Sequence, residues 1–346
     1  MSRTSAFQRL LSACAVAALL TAAAPRPQAT AEQPDVLLRE AMDAPQTQSY
    51  VGEMQSLRFG AQKSEAAIYR IEHRAPDLTR RWYVAPEDLY GDSIISRGDT
   101  TYSIDIKRNR IVVSTDNAID DQVAMDDNFG LLMRNYRANY GPDDVLNGRP
   151  ARLVLLTNKY TGQVTMRVWI DSATNLVLEK EQFAANGSVV AQTRFEHLRY
   201  TNNIPLAIFE VPKHYAQVRG ATRGLPSNDL QGVVKTAGFN ARGPKYLPEG
   251  FVPVEGDVIE IKGVRTLHLL YSDGVRTVSL FQNAKDAAID MSGYKQKTTH
   301  FENHDARYVD DGPTTLLAWS ESSLHFALVG DLNLNELTRI AASVVP

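Results

Sequence analysis

Residues 161–183, TGQVTMRVWIDSATNLVLEKEQF, hold two alternating runs joined by a polar bend. Val164, Met166, Val168 and Ile170 fall on one side of an extended chain, and Thr165, Arg167, Trp169 and Asp171 on the other, because successive side chains of a strand point to opposite faces. Residues 172–175, SATN, supply the turn, and Leu176 and Leu178 carry the apolar side into the return strand. The pattern predicts a hairpin with one face against a core. A large antiparallel sheet of such hairpins keeps one face under helices and curls around the rest, enclosing either a packed core or a hollow.

Working outward, ribbons rich in Val, Ile, Tyr and Thr occupy 49–59, 65–73, 78–84, 92–96, 100–105 and 110–114, and resume at 152–158 and 189–198. Before them, PDVLLREAMDA from Pro34 reads as a short helix, with Pro34 in the first turn and Leu37, Leu38, Ala41 and Met42 on one face. A second helix is predicted within DDNFGLLMRNYRANYGP: Phe129, Leu132, Met133, Tyr136 and Tyr140 recur at helical spacing, residues 126–128 cap the start, and Gly141-Pro142 ends it. From Pro212 to Pro244 periodicity fades into glycines, prolines and charges, the mark of a linker. Beyond it, strands are predicted at 264–271, 275–282, 296–309, 314–321 and 323–329. A closing amphipathic helix carries Leu334, Leu337, Ile340, Ala341 and Val344, with Asn333 and Glu336 at capping-box spacing.

The N-terminus differs in kind. Arg3 and Arg9 precede the apolar run LLSACAVAALLTAAA, and Ala29-x-Ala31 follows, which reads as a secretory signal peptide cleaved near Ala31. Cleavage would remove three arginines and leave 34 basic against 40 acidic residues, a balance that argues against a nucleic-acid binder. It would also remove the only cysteine, and with it any disulfide or thiolate chemistry. The expected organisation is therefore a signal peptide at 1–31, a β-rich domain at 32–213, a linker at 214–244 and a smaller α+β domain at 245–346.

Motifs for catalysis are sparse. YGDSIIS at 90–96 resembles a Gly-Asp-Ser nucleophile site, but none of the seven histidines has an aspartate three residues before it, so Ser93 reads as the start of a strand. His300, Glu302, His304 and Asp305 offer ligand chemistry for zinc without an HExxH frame, and read as a polar sheet edge. The pairs Asp120-Asp121, Asp126-Asp127, Asp143-Asp144 and Asp310-Asp311 read as solvated turns. No phosphate loop or dinucleotide fingerprint is present, and no enzyme activity, cofactor or metal is expected.

Several segments together resemble the MucB/RseB family of periplasmic regulators of envelope-stress sigma factors. YRIEH at 69–73 is similar to its Tyr-Arg-x-x-His strand, SRGDTTYSI at 96–104 to its Arg-Gly-Asn turn, and LNGRPARLVLL with VWIDSATNLVLEKEQF to its paired strands with a Trp-x-Asp-x-x-Thr-x-Leu core. LPEGF, LLYSDGVRTVSLF and FALVGDLNLNELTRIAASV follow the family order further on. YGDSIIS departs from it, standing where the family carries Gly-Pro-Arg-Glu.

The resemblance implies an α+β architecture: a curved, unclosed antiparallel β-barrel with helices, similar to LolA-type lipoprotein carriers, then a smaller antiparallel sheet with a helix. It also implies a negative regulator that binds the periplasmic part of a transmembrane anti-sigma factor and shields it from proteolysis, with lipid, lipopolysaccharide or lipoprotein acyl chains as releasing signals. Leu270, Tyr271, Ser272, Asp273 and Gly274 are the candidate partner-binding residues, with Tyr271 as anchor. Trp82, Phe129, Met133, Tyr136, Met166 and Val168 are candidates to line a lipid cavity, against the alternative that they are ordinary core. A lipid or lipoprotein carrier is the competing reading.

Overall fold

The paired runs of residues 161–183 form the predicted hairpin in a computed structural model, with Val168 opposite Lys180 and Trp169 opposite Glu179. The structure describes residues 32–60, 64–98, 100–114, 129–219, 230–261, 264–284, 291, 295–311 and 314–345. The predicted leader, the capping residues 126–128 and the pairs Asp120-Asp121 and Asp126-Asp127 lie outside them.

In chain order the first elements are α1 (Pro34–Asp43), a 3-10 turn (Ala44–Gln46), β1 (Tyr50–Phe59), β2 (Ser64–Arg74), β3 (Leu78–Ala85), β4 (Ser93–Arg97), β5 (Thr100–Asp105) and β6 (Arg110–Ser114). Then come α2 (Phe129–Asn135), β7 (Tyr136–Tyr140), β8 (Asp144–Leu146), β9 (Arg149–Asn158), β10 (Val164–Asp171), β11 (Val177–Phe183), β12 (Val189–Tyr200), a 3-10 turn (Leu206–Phe209) and β13 (Ala216–Arg219). The remainder is α3 (Leu230–Thr236), β14 (Gly243–Pro244), β15 (Val252–Ile261), β16 (Val264–Ser272), β17 (Thr277–Asn283), β18 (Lys297–Phe301), β19 (His304–Asp311), β20 (Thr314–Glu321), β21 (Leu324–Gly330), α4 (Leu334–Ala342) and β22 (Val344–Val345).

The first sheet has 13 strands in the order β13-β6-β5-β4-β3-β2-β1-β12-β11-β10-β9-β7, with β8 also on β9. Its end strands, β13 and β7, do not pair, so the curved sheet stays unclosed. Register shifts at Glu53/Met54, Ile68/Tyr69 and Trp169/Ile170 add the local twist that curls it. Gly52 sits at a close approach of neighbouring strands, where an added Cβ would collide with the His197 carbonyl oxygen and lie 3.0 Å from the Phe195 ring. The second sheet is seven-stranded, β15-β16-β17-β21-β20-β19-β18, and β14 pairs with β22.

Two helices seal these sheets where their patterns foretold, although Val344, expected in the closing helix, lies beyond α4 in β22 and pairs with Pro244. Leu37, Leu38 and Ala41 of α1 pack on Val154, Leu156, Met166, Val168 and Ile170, and each fully buried Leu contributes about 1.5–3 kcal/mol. Leu337, Ile340 and Ala341 of α4 pack on Leu267, Leu280, Leu317 and Leu328, and the Asn333 side chain accepts the Glu336 N–H at 2.9 Å as the expected N-cap. His73 shows what the Tyr-Arg-x-x-His segment does: its Nε2 meets the Pro45 carbonyl at 2.8 Å, Nδ1 meets Thr79 Oγ1 at 2.8 Å, and Tyr50 stacks on the ring. Burial holds the His73 pKa below its ordinary value.

Several elements correct the sequence reading. The helix predicted through Tyr140 ends at Asn135, and residues 136–140 are strand β7, paired with β9. The Lys159 ammonium takes the Met133 carbonyl at 2.6 Å and that of Arg134 at 3.1 Å, and the Lys159 N–H takes that of Asn135. Those bonds satisfy the helix's last carbonyls, and aromatic-rich YRANY suits a sheet edge. The strand predicted at 296–309 is two strands, β18 and β19, turned at Glu302, which has φ +48°. The stretch 212–244 holds β13, paired parallel to β6, and α3, while β15 carried no predicted strand.

The Trp-x-Asp-x-x-Thr-x-Leu pattern is a turn-fastening device. Asp171, with its side chain 1% exposed, accepts the Ala173 N–H at 2.8 Å through Oδ1. Its Oδ2 accepts from Arg149 at 3.2 Å and from the Tyr200 hydroxyl at 3.0 Å. Thr174 Oγ1 bonds the same Tyr200 hydroxyl, and burial pushes that phenol up to about 12. Trp169, half-buried, packs against the cluster containing Leu176 and Leu178. Replacing Asp171 by Ala leaves Arg149 and Tyr200 without their acceptor and should cost about 3 kcal/mol or more, read as a lower urea midpoint at unchanged slope.

Candidate functional site

The β16–β17 turn, Ser272–Arg276, folds around two of its own side chains. Ser272 Oγ accepts the Gly274 N–H at 2.9 Å and donates to the Arg276 carbonyl at 3.0 Å. Asp273 Oδ1 accepts the N–H groups of Val275 and Arg276 at 2.9 and 2.7 Å. Its Oδ2 faces Arg276 Nε at 2.9 Å and receives the Tyr136 hydroxyl at 2.8 Å. The Asp273 side chain has no exposed surface.

This turn is where the second sheet meets the first. Asn135, the last residue of α2, donates through Nδ2 to the Asp273 and Gly250 carbonyls, both at 2.9 Å, and its Oδ1 accepts from Tyr160 at 3.1 Å. Gly274 has φ +98°, and an added Cβ would stand 2.8 Å from the Cα and N of Leu132 in α2. Val275, 3% exposed, enters the α1–α2 core of the first sheet. Burial, reinforced by the Asp273 charge, raises the Tyr136 pKa far above its ordinary value, so its hydroxyl stays a donor.

The candidate partner residues therefore sit inside the molecule. Tyr271, Ser272, Asp273 and Gly274 are buried, and Leu270 is half-buried. Tyr271 joins the α4 core, where burial pushes its phenol up to about 12. Of the cavity candidates, Phe129, Met133, Tyr136, Met166 and Val168 come together in one cluster beneath α1. Trp82 stands apart on β3, beside Arg70 and Tyr90. Ser93 opens β4, and His300 and His304 turn to different carboxylates, Asp305 at 3.0 Å and Glu321 at 3.4 Å. Asn135, Tyr160 and Gly250 had no signal in the sequence, since the Asn135 bonds span 115 and 138 residues.

Among the described residues, a groove opens on each sheet. One, of about 490 Å³, crosses β2, β1 and β12, with Gly52 at its base and Glu53, Glu72, Arg70, His197 and Arg199 around it. Burial raises the Glu72 pKa against the opposing charges of Arg80 and Arg70. The other, of about 340 Å³, lies on the second sheet, with Phe281, Ala318 and Ala327 among Thr266, Asn283 and His325.

Beside the junction, Asp331 donates its N–H to the Thr277 carbonyl at 2.9 Å. The residue keeps some exposed surface, but its carboxyl is packed deeply enough that desolvation raises its pKa to about 6, with the Thr277 N–H and Arg58 opposing and Asp273 reinforcing the rise.

A family model described as the MucB/RseB N-terminal domain matches residues 33–214, and one described as a domain of unknown function (DUF4367) matches residues 242–344. No curated protein matches. A crystal structure of MucB in complex with MucA(peri) is 15% identical, covering 90% of this chain and 98% of that one with a TM-score of 0.61. The MucA/MucB complex of Pseudomonas aeruginosa is 16% identical, with the same coverages and a TM-score of 0.60. A structure of MucB is also 16% identical, covering 90% and 96% with a TM-score of 0.54. These likenesses extend the shared fold across both sheets.

Two outcomes follow from the junction. Tyr136→Phe removes one hydrogen bond to a buried charge and should cost about 1.5–3 kcal/mol in chemical denaturation. Asp331 binds a proton more tightly folded than unfolded, so its contribution is fullest below about pH 4 and is lost as pH rises towards 6. Asp331→Asn should accordingly gain stability relative to the parent between pH 4 and pH 6 and hold that gain at pH 7; parallel urea titrations across this range check it.

Proposed function

The chain belongs to the MucB/RseB family, and from that membership we propose that it is a periplasmic negative regulator of an envelope-stress sigma factor. In this reading it binds the periplasmic region of a transmembrane anti-sigma factor and protects that region from proteolysis. The observation that carries the proposal is the two-sheet arrangement shared, over 90% of the chain, with MucB bound to MucA(peri).

The fold supplies suitable recognition surfaces. The first sheet ends in β13 and β7 and the second in β15 and β18, and an end strand leaves one row of main-chain groups to which an extended segment can add. On β18, Lys297, Thr298 and His300 are exposed. Leu270–Gly274 serve binding by fixing the second sheet against the first, so that one partner segment meets both in a set register.

Release by lipid or lipopolysaccharide belongs to the same proposal. An acyl chain reaching Phe129, Met133, Tyr136, Met166 and Val168 would part α1 and α2 from the sheet, since these residues already fill one cluster with Leu37 and Leu38. Each methylene buried there contributes about 0.8 kcal/mol, and release requires the lipid to favour the partner-free state.

The test is retention and protection of the cognate anti-sigma ectodomain. The purified chain should hold it at one-to-one stoichiometry and slow its cleavage by the initiating protease. No retention, or retention with unchanged cleavage, would overturn the reading. Stoichiometric lipid that leaves partner binding untouched would favour the carrier instead.

A further inference from the structure

On the face of the second sheet turned away from α4, three adjacent strands bring Asp257, His268 and Ser279 into one hydrogen-bonded chain. Asp257 of β15 stands directly opposite His268 of β16, and Asp257 Oδ1 lies 3.0 Å from His268 Nδ1. His268 Nε2 lies 2.9 Å from Ser279 Oγ on β17. The Asp257 and His268 side chains are 0% and 4% exposed, while Ser279 is half-buried. Phe281 stacks on the imidazole, ring centroids 4.7 Å apart and planes within 13°, and fixes its plane.

The buried carboxylate dictates the tautomer. A carboxylate at Nδ1 requires a proton there, so the Nε2 lone pair faces Ser279 and the serine hydroxyl donates to it. Among the described residues Asp257 Oδ2 finds no hydrogen-bond partner, and the imidazole is the group its Oδ1 meets. An acid that orients the base, with the base on a hydroxyl, is the arrangement that activates a serine.

We propose that Ser279 is an activated nucleophile that accepts acyl groups from small apolar esters. Leu270 and Val329 stand opposite it on the neighbouring strands, and these two side chains supply the apolar flank for a small acyl group. As Oγ attacks the ester carbonyl, its proton passes to His268 Nε2, the C–O bond to the leaving alcohol breaks, and that proton leaves with the alcohol. Asp257 acts as a positioning residue that stabilises the imidazolium. β17 is paired on both sides, with β16 and β21, which commits its N–H groups to the ladders and leaves the oxyanion weakly held. Acylation should therefore be slow and stoichiometric, with little turnover.

This inference is independent of the regulatory reading, and its test keeps the two apart. The full chain is incubated with a fluorophosphonate probe and, separately, with p-nitrophenyl butyrate, and the modified residue is mapped by peptide mass spectrometry. One label per chain on Ser279 is expected, absent in Ser279→Ala. His268→Gln should slow labelling about 100-fold or more, with equal denaturation midpoints confirming the fold. If His268→Gln fails to fold, the parent and Ser279→Ala decide the matter alone. No label, label elsewhere, or reaction at Ser279 no faster than in the urea-unfolded chain overturns the proposal. Ser279→Ala should still retain the anti-sigma ectodomain if that reading holds.

Discussion

The buried Asp273 carboxylate is the constraint on which the arrangement of the two sheets depends. Carrying a charge out of water costs several kcal/mol, and only close, well-aimed partners offset it. Asp273 has them: Arg276 supplies the opposite charge, two turn N–H groups fill Oδ1, and the Tyr136 hydroxyl shares Oδ2. Three of those four partners belong to the turn itself, so the turn can form before the sheets meet. The fourth comes from the first sheet, so the network is completed only when the two halves dock.

That docking combines direction with grip. Val275 contributes an apolar plug to the α1–α2 core, and apolar contact alone would tolerate sliding and rotation. The Asn135 amide does not, because it spans two carbonyls, of Asp273 and Gly250, while its own oxygen is held by Tyr160. Gly274 sets the approach distance, since its missing side chain is what lets the turn lie on the α2 backbone. The two sheets are thereby held in a defined geometry by a discrete set of bonds.

Hairpins and the two sealing helices were legible in the sequence because both rest on local periodicity. The alternation around Val168 placed β10 and β11, and the spacing of Leu337, Ile340 and Ala341 placed α4, including its Asn333 cap. The Trp-x-Asp-x-x-Thr-x-Leu pattern marked a turn, although its reason, the shared grip on Asp171 by Arg149 and Tyr200, needed strands distant in sequence. The polar tip SDG stood out in an apolar run, yet nothing local says that its partners are Asn135 and Tyr136. The Asp257–His268–Ser279 chain was invisible for the same reason, and doubly so because β15 was not foreseen.

The misread segment shows how local and long-range structure constrain one another. Residues 129–140 carry a helical spacing that suits a continuous helix, and the chain follows it only to Asn135. In a continuing helix, consecutive side chains diverge by about 100°, so Asn135 and Tyr136 would aim at different surroundings. At the change from helix to strand both reach Asp273, one through its carbonyl and the other through its carboxylate. Lys159 fixes the position of that change by occupying the final helical carbonyls from β9's end. The helix stop, the sheet edge and the junction are thus one feature, and the helical periodicity gives way because the bonds to Asp273 outweigh five more residues of a half-exposed helix.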